Sequence, residues 1–329
     1  MSFWKDKKVM VTGGAGLIGS ALSANLIKCG SKVTIVDNFE RGKFDYIVDI
    51  MDDCIVKNAD LREARFCDLH IKDYDIVIHM ASKVGGIGYY TSRPYEVMSE
   101  NLKMDSNVLS ACVKNKIPMF FYASSAHVYP KELQGTPDSP LIREEQAEPA
   151  NPELSYGWAK LITEKQIEAA VQQSTSFKAA IARYIGIYGK NQDFKLDTGS
   201  VIPVFCNRAI SHPNVEFNVW GNGKETRSYC FIEDAIEGTK AMIEAMDSKN
   251  MVGPYNLGKQ ERVSIGEIAE KVIAISDKNI IINFDTSKET LIWGQWCDCS
   301  KIKNDLGWEA TTSLEEGLKV VYEDVKSRI

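Results

Sequence analysis

The sequence predicts an α/β protein with a doubly wound parallel sheet and a smaller C-terminal region that interleaves with it. Up to about residue 185, short runs of β-branched and aromatic residues alternate with longer segments of helical periodicity, as in a parallel sheet covered by helices. The candidate strands are apolar along nearly their whole length, which is expected of strands buried on both faces. After Gly186 the content of Gly, Pro and Asn rises, which indicates a second architectural region.

The predicted elements follow one another in a regular order. Strands are expected at residues 9–12, 33–36, 76–80, 119–123 and 179–185, and helices at 17–29, 95–116 and 155–173. Beyond these we expect a strand at 215–220 and helices at 200–211, 232–247 and 264–275. The first domain is therefore predicted to span residues 1–185, with 232–250 packing back onto it, and residues 186–329 form the smaller domain. The proline-rich stretch 131–152 is expected to be an exposed loop that caps a site.

Composition excludes several classes of function. The 329 residues are 44% hydrophobic and 26% charged with a net charge of -6, which is typical of a globular protein and argues against a broad basic face for nucleic acid. The apolar runs are too short to span a bilayer, and the N-terminus leads directly into a strand, so we expect a cytoplasmic protein outside the membrane. The eight cysteines include no zinc-type pair of CxxC motifs, so reduced thiols and no metal site are expected.

A glycine cluster follows the first strand. Gly13, Gly16 and Gly19 have the spacing GxxGxxG and lead into a helix that begins with Leu17 and Ile18. Glycines allow a tight turn and let backbone N–H groups approach a pyrophosphate at the helix N-terminus, where the helix dipole favours an anion. The strand before and the helix after the motif match a Rossmann-type dinucleotide site.

An acidic residue ends the second strand. Asp37 lies eighteen residues beyond Gly19, where a carboxylate accepts hydrogen bonds from the adenosine ribose and repels a 2'-phosphate. The pattern therefore favours NAD over NADP, although Asp37-Asn38 is also typical of a simple turn after a strand. Asp68, after a weak strand expected near Phe66, is a candidate for the adenine amino group or an ordinary turn acid.

Two residues suited to acid–base chemistry lie four apart near the start of the helix at 155–173. Tyr156 and Lys160 project from one helix face, and an adjacent ammonium stabilises a phenolate. The same spacing recurs at Tyr255/Lys259 and Tyr322/Lys326, which we interpret as surface residues. Only Tyr156 is preceded by a buried strand that ends in the polar segment Ser124 to Tyr129, and such strand ends line the ligand crevice of an open α/β sheet.

These motifs, in order along the chain, resemble the extended short-chain dehydrogenases that act on nucleotide sugars. The resemblance includes the glycine pattern, Asp37, the stretches 77–81 and 124–129, Tyr156/Lys160, Arg183-Tyr184, and the segments 221–229 and 298–308. It covers essentially the whole chain. It implies an NAD-dependent enzyme in which residues 1–185 bind NAD, residues 186–329 mainly bind the sugar nucleotide, and two copies form a homodimer through the helices near 95–116 and 155–173.

The resemblance also implies roles for individual residues. Tyr156 would be the base, Lys160 would lower its pKa and hold the ribose, and Ser125 would orient the hydroxyl. The implied cofactor residues are Gly13, Gly16, Leu17, Ile18, Asp37, Asn38, Asp68, Leu69, Ala81, Ser82, Lys83, Asn101, Tyr156 and Lys160. The implied substrate residues are Gly85, Gly86, Ser125, Tyr184, Lys195, Val201, Arg208, Trp220 and Arg227.

Residues 81–88 are similar to a loop of GDP-L-fucose synthases and GDP-mannose 3,5-epimerases, so a GDP-sugar substrate is favoured. Those enzymes carry a cysteine where this chain has His127, and an imidazole can also move a proton on and off carbon. Lys195 falls near their second acid–base position, but the sequence is also typical of an ordinary solvated loop lysine. A 4-epimerase with His127 as a polar contact, a reductase or 4,6-dehydratase, and a dinucleotide-binding sensor without catalysis stay open as alternatives.

Two positions depart from the family pattern. Gly186 stands where an asparagine commonly contacts the substrate diphosphate, and Trp293 or Gln295 stands where an arginine is common. These departures predict that the sugar or the nucleotide differs from the usual ones.

Overall fold

The central feature is a sheet of seven strands, all parallel within the described residues, in the order β11-β6-β5-β4-β1-β2-β3. The structure is a computed structural model that describes residues 3–174, 176–287 and 292–329. The strands are β1 Lys8–Thr12, β2 Lys32–Asp37, β3 Ile55–Asn58, β4 Ile76–His79, β5 Met119–Ser125, β6 Lys178–Tyr184, β7 Ile187–Tyr188, β8 Asn218–Trp220, β9 Thr226–Arg227, β10 Cys230–Phe231, β11 Met251–Leu257, β12 Val263–Ser264, β13 Asn283–Asp285 and β14 Gly294–Gln295.

Helices cover both faces of this sheet and form the smaller C-terminal part. They are α1 Leu17–Lys28, α2 Ala64–His70, α3 Ile87–Ser92, α4 Pro94–Lys114, α5 Ser155–Gln173, α6 Val201–Ser211, α7 Ile232–Ala245, α8 Ile265–Ser276, α9 Ser300–Leu306 and α10 Leu314–Arg328. Short 3-10 turns lie at Phe44–Tyr46, Val48–Asp53, Ala126–Val128, Lys131–Leu133 and Glu144–Ala147. No helix in the described part of the chain has the length and apolar character needed to cross a bilayer.

The side chains of β1 alternate between the two faces of the sheet and are buried on both. Val9 and Val11 point into the core on one face, Met10 points into the core on the other, and all three are fully buried. Successive strand side chains point to opposite faces, so a strand that is apolar at every position needs cover on both. The sequence-based assignment of a doubly wound sheet is therefore confirmed.

The order of the strands creates a crevice at one edge of the sheet. β1 pairs with β2 on one side and with β4 on the other, so the chain winds outward in opposite directions from β1. Loops that follow β1 and β4 consequently diverge at their carboxyl ends, where doubly wound proteins bind ligands.

The C-terminal half contributes both to this sheet and to a separate core. β11 extends the sheet beside β6, and α7 packs against α1. A second apolar cluster is formed by α6, α8 and α10 around residues such as Phe205, Phe217 and Leu318. The cleft described below lies between elements of these two parts.

Three local predictions are wrong. The segment around Phe66 is the helix α2 and no strand, while the strand in this region is β3, earlier in the chain. The strand expected at 215–220 is limited to β8. Residues 131–152 do not form an exposed loop that caps a site. Within this stretch, Ile142 is fully buried and forms a β-bridge to Cys297 in the C-terminal part.

Candidate active site

A cleft of about 1500 Å³ runs along the carboxyl edge of the sheet, from the glycine loop to the smaller C-terminal part. Its walls include residues from the turns after β1, β2 and β4, the end of β5, the start of α5 and the first turn of α6. Pockets for single small molecules are usually about 300–1000 Å³. This volume is sufficient for a dinucleotide and a second ligand together.

The glycine loop has no space for side chains. Gly13 has a φ of +64°, and a Cβ on it would lie 2.7 Å from the backbone of Ala81. A Cβ on Gly19 would lie 2.2 Å from the carbonyl oxygen of Gly13. Helix α1 starts at Leu17 without a side-chain cap in the described structure, so its first N–H groups face the cleft. This backbone cradle fits a pyrophosphate.

Asp37 lies at the end of β2 with its carboxylate held by the loop backbone. Its Oδ2 accepts from Ala15 N at 3.0 Å and its Oδ1 accepts from Phe39 N at 2.9 Å. Burial raises the pKa of Asp37, while these backbone donors oppose the shift. Asp37 and Asn38 line the cleft beside the glycine loop, so a carboxylate lies where the adenosine ribose of a dinucleotide would bind.

After β3, the acidic residue that lines the cleft is Asp60, which was not predicted from the sequence. Asp60 and Leu61 line the cleft, and Asp60 is paired with Arg62. The expected Asp68 and Leu69 lie instead in α2: Asp68 pairs with Lys114 at 2.7 Å, and Leu69 is exposed. The error arose because β3 reads Ile-Val-Lys-Asn, which is too short and polar to predict a strand.

Asn101 organises the loop after β4 from a fully buried position. Its Oδ1 accepts from Ser82 Oγ at 2.7 Å and from Lys83 N at 2.9 Å, and its Nδ2 donates to Lys83 O and Val97 O. Asn101 therefore shapes the cleft wall formed by Ala81, Ser82 and Lys83 from behind.

The ammonium of Lys83 is neutralised by carboxylates. It pairs with Glu40 from the loop after β2, and it lies 3.3 Å from Glu100 of α4. Arg41, next to Glu40, donates to the carbonyl oxygen of Val84. The loops after β2 and β4 are thus linked across the cleft.

Tyr156 projects into the cleft from the first turn of α5 and is 7% exposed. Burial, together with the charge of Asp105, raises its pKa to about 12, whereas the neighbouring hydroxyls of Ser82 and Ser125 favour the phenolate. Ser125 is the last residue of β5, and its Oγ accepts from His127 N at 3.2 Å. The strand end and the helix start therefore bring together the serine and tyrosine that the sequence singles out.

Lys160 lies one turn below Tyr156 with a buried ammonium. Its Nζ is 4.5 Å from the Tyr122 ring centroid and 5.8 Å from that of Tyr156, and it has no hydrogen-bond partner among the described residues. Burial lowers its pKa, and the charges of Asp105 and Glu164 oppose that shift. A buried ammonium without an acceptor is costly, so this donor fits the ribose hydroxyls of a bound nicotinamide nucleotide.

An aromatic cluster surrounds the tyrosine. The Tyr90 ring stacks on that of Tyr156 with centroids 5.1 Å apart, and the His127 ring packs edge-to-face with centroid distances of 5.8 Å to Tyr156 and 6.0 Å to Tyr90. Burial, together with the charge of Arg227, lowers the pKa of His127 to about 4, so the imidazole is neutral at pH 7. Sequence reasoning missed Tyr90, because no motif connects the helix α3 to the strand ends.

Two arginines face the C-terminal half of the cleft without a salt bridge to a described carboxylate. Arg227 donates to the carbonyl oxygens of Thr226 (2.8 Å) and Ile292 (2.7 Å), and Arg208 donates to that of Asn218. Burial lowers the pKa of both guanidinium groups. Such arginines bind anions, and a diphosphate is the anion of matching size.

Most other predicted substrate residues also line the cleft: Gly85, Gly86, Tyr184, Val201 and Trp220. Trp220 is 60% exposed. Lys195 is exposed and lies outside the cleft wall, although its neighbours from Leu196 to Val201 belong to it.

The two departures from the family pattern have structural reasons. Gly186 has a φ of +53°, and a Cβ would lie 2.0 Å from the carbonyl oxygen of Ser228, so an asparagine does not fit here. Gln295 is buried and donates to Gln134 Oε1 at 2.7 Å, which leaves it paired inside the protein.

The interpretation of the other two tyrosine–lysine pairs as surface residues is wrong for the tyrosines. Tyr255 is 3% exposed and donates to Asp305 at 2.6 Å, and Tyr322 is 6% exposed in the C-terminal core. Neither lines the cleft, so Tyr156 keeps its special position.

Comparison with known proteins agrees with this geometry. Residues 9–258 match the model of the NAD dependent epimerase/dehydratase family. GDP-mannose 3,5-epimerase of Arabidopsis thaliana is 30% identical over 99% of this chain and 85% of its own length. UDP-N-acetyl-alpha-D-glucosaminuronate decarboxylase of Bacillus cytotoxicus is 29% identical over 95% of this chain and 96% of its own.

The fold is shared with a solved relative. UDP-glucose 4-epimerase of Thermus thermophilus, in complex with NAD, superimposes with a TM-score of 0.83 at 21% identity, covering 98% of this chain and 100% of that one. The family that matches residues 9–258 is NAD dependent, which identifies NAD as the cofactor of this cleft.

Proposed function

The chain belongs to the NAD-dependent epimerase/dehydratase family, and on that premise we propose that it epimerises a nucleotide sugar by transient oxidation of a ring hydroxyl. The observation that carries the proposal is that Tyr156 and Ser125 line the same part of the cleft, while the ring of His127, which is not itself part of the cleft wall, lies 5.8 Å from that of Tyr156 between centroids. Arg208 and Arg227 lie farther along the same cleft, where they would bind the diphosphate of the substrate.

The oxidation follows from the positions of these side chains. Bound NAD supplies a hydride acceptor that is regenerated within one turnover. As the ring C–H hydride leaves, the phenolate of Tyr156 takes the hydroxyl proton and Ser125 holds the hydroxyl by a hydrogen bond. The ammonium of Lys160 stabilises the phenolate and binds ribose hydroxyls. Tyr156 would then give its proton back to the oxygen as the hydride returns from the cofactor, which would restore the alcohol.

Inversion at a carbon beside the new ketone requires a second acid–base group, and we propose His127. A ketone acidifies the hydrogens on its neighbouring carbons, so a neutral imidazole can accept one of them as a proton. A second acid on the opposite face of that carbon, for which Lys195 is the expected residue, would then return a proton and so invert the carbon before the ketone is reduced. The 30% identity to a GDP-mannose 3,5-epimerase supports this chemistry and a GDP-sugar as the substrate.

One observation favours a second candidate function, 4-epimerisation without proton exchange at carbon. Lys195 lies outside the cleft wall, so the expected partner of His127 is not in place. Burial also makes the conjugate acid of His127 more acidic than usual, with a pKa of about 4, which weakens the imidazole as a base. In a 4-epimerase, His127 would only contact the sugar.

A single experiment separates these reactions. The protein is incubated in deuterated water with a panel of GDP-, UDP-, dTDP- and CDP-sugars, and products are identified by NMR. The first proposal is supported if wild type incorporates deuterium at C3 or C5 of a GDP-sugar and His127→Asn does not. Inversion at C4 without deuterium supports the second. Net reduction, dehydration or decarboxylation, or no turnover of any sugar, would contradict epimerisation.

We further propose a cytoplasmic homodimer joined through α4 and α5. These helices pack against each other on one face of the sheet, and their outer surfaces would form a four-helix contact between two copies. Light scattering after size exclusion measures the mass directly, and a monomer at micromolar concentration would contradict this part of the proposal.

A further inference from the structure

A buried carboxylate lies beneath the proposed catalytic residues and plays no part in the mechanism above. Asp105, in the middle of α4, is fully buried. Its Oδ2 accepts from the Tyr122 hydroxyl at 2.6 Å and from Thr163 Oγ1 at 3.1 Å. Its Oδ1 lies 3.0 Å from Nε2 of His79. A carboxylate with three donors is built to stay ionised.

The hydrogen bonds continue to the glycine loop in one direction. An ionised carboxylate only accepts, so Nε2 of His79 donates to Asp105. Thr12 Oγ1 lies 2.7 Å from Nδ1 of the same ring, and it accepts from Ala81 N at 3.3 Å. Asp105 is thereby connected to the ends of β1 and β4.

The remaining charges around Lys160 are already balanced. Glu164, on the same helix as Lys160, is held by both Nε (3.0 Å) and Nη2 (2.7 Å) of Arg183. The two aromatic rings near the ammonium, those of Tyr122 and Tyr156, carry no charge while their phenols are protonated. Tyr122 connects the ammonium to Asp105, because Lys160 lies over its ring and its hydroxyl donates to Asp105.

We propose that Asp105 is a positioning residue that serves as the counterion of Lys160 and keeps the ammonium charged beneath Tyr156. This inference rests on the proposed function for its catalytic consequence, but the pairing itself does not depend on which sugar is converted. Burial disfavours the charged forms of Asp105 and Lys160, and the charge of each residue favours the charged form of the other. Loss of either charge leaves the other buried without compensation.

Thermal unfolding of four proteins tests the pairing without any assay of activity. Wild type, Asp105→Asn, Lys160→Met and the double variant form a mutant cycle. We expect each single change to lower Tm by several degrees, and the double variant to lose less than half of the sum of the two losses. Additive losses would overturn the proposal, because independent residues do not compensate each other.

The pH profile of turnover then tests the catalytic consequence. In Asp105→Asn the pH at which activity falls on the alkaline side should move down by at least one unit, because Lys160 loses its proton more easily. Tyr122→Phe keeps the charge of Asp105 and removes one donor, so it should keep the wild-type profile. If Asp105→Asn lowers turnover by the same factor at every pH, the proposal is overturned. If no sugar is converted by wild type, the proposed function fails while the unfolding cycle still decides the pairing.

Discussion

At the residue scale, Tyr156 is distinguished from the other tyrosines by its position and not by its sequence spacing. Three tyrosine–lysine pairs share the same interval, yet only Tyr156 combines a place in the cleft wall with neighbouring serine hydroxyls. Burial alone would make its phenol a weaker acid than usual. The charge of Lys160 and that of oxidised NAD therefore have to favour the phenolate during the reaction.

Replacement of Tyr156 by phenylalanine tests this assignment. We expect Tyr156→Phe to lower kcat by about 10²–10⁴-fold, the usual contribution of a general acid–base group. The affinity for NAD, measured by calorimetry, should change far less, because the ring is retained. Tyr322→Phe is the matched control, since Tyr322 has the same spacing to a lysine and is buried in the distant core. Turnover of Tyr156→Phe at the control's rate would reject the assignment.

His127 provides a prediction about pH. Its pKa falls from an ordinary 6.5 to about 4 in the folded protein, mainly by burial. Between these values the unfolded chain binds a proton and the folded chain does not, so stability should decrease as the pH falls from 6.5 towards 4. The loss from this residue alone is up to about 3 kcal/mol.

NMR of the ring protons measures the titration of His127 directly, and urea unfolding at pH 6.5 and 4.5 measures its effect on stability. His127→Asn should lose less stability than wild type over this interval. His70→Asn, at an exposed position, controls for the removal of an imidazole. A midpoint near 6.5 for His127 would show that the ring is not buried as described.

At the scale of elements, the glycine turn between β1 and α1 is fixed by sterics. Gly13→Ala would require a side chain at a φ of +64°, which costs about 1–2 kcal/mol. The added Cβ would also displace the backbone of Ala81, in the loop after the neighbouring strand β4. We expect lower stability and at least tenfold weaker NAD binding, measured by urea unfolding and calorimetry. Gly135→Ala, which has free space around it, should change stability by about 0.5 kcal/mol or less; equal effects would contradict the steric account.

Elements with a strong local pattern could be predicted from the sequence. The strands β1, β2, β4, β5 and β6 are continuous apolar runs, and α5 begins and ends where its periodicity predicts. β3 was missed because it lies at the edge of the sheet, where its outer residues need not be apolar: Ile55 is 60% exposed. β11 was missed because it joins the sheet from the C-terminal half, and its sequence contains Gly253 and Pro254.

The site could be predicted only in part, for the same physical reason. Motif residues such as Gly13, Asp37 and Ser125 lie next to strands, so the order of the strands already brings them to one edge. Tyr90, Asp60 and Asp105 reach the site through tertiary packing of helices and loops that have no sequence motif. Their roles depend on distances that no spacing along the chain encodes.

At the scale of the whole molecule, the cleft is lined by residues of both cores, so a ligand bound in it contacts both. The sheet contributes the glycine loop, Asp37 and Tyr156, while Arg208 and Trp220 come from elements of the C-terminal core. A ligand that binds only the folded state stabilises it, by about 2.7 kcal/mol at a concentration of one hundred times Kd. NAD should therefore raise Tm by about 5 °C.

NADP should raise Tm much less than NAD. The Asp37 carboxylate would face the additional 2'-phosphate, and two negative charges at close range repel each other. Differential scanning fluorimetry at equal concentrations of the two cofactors, on protein freed of bound nucleotide, measures the difference. An equal shift with NADP would contradict the role of Asp37.

The proposed mechanism requires Tyr156 to remove a hydroxyl proton from a sugar that is oxidised in this cleft. Rapid mixing of the NAD-loaded protein with the nucleotide-sugar panel tests this step, with bound reduced nicotinamide followed by fluorescence. We expect a transient signal with at least one sugar nucleotide, its decay as the product forms, and its loss in Tyr156→Phe. Saturation with every sugar of the panel without any reduction of bound NAD would contradict it.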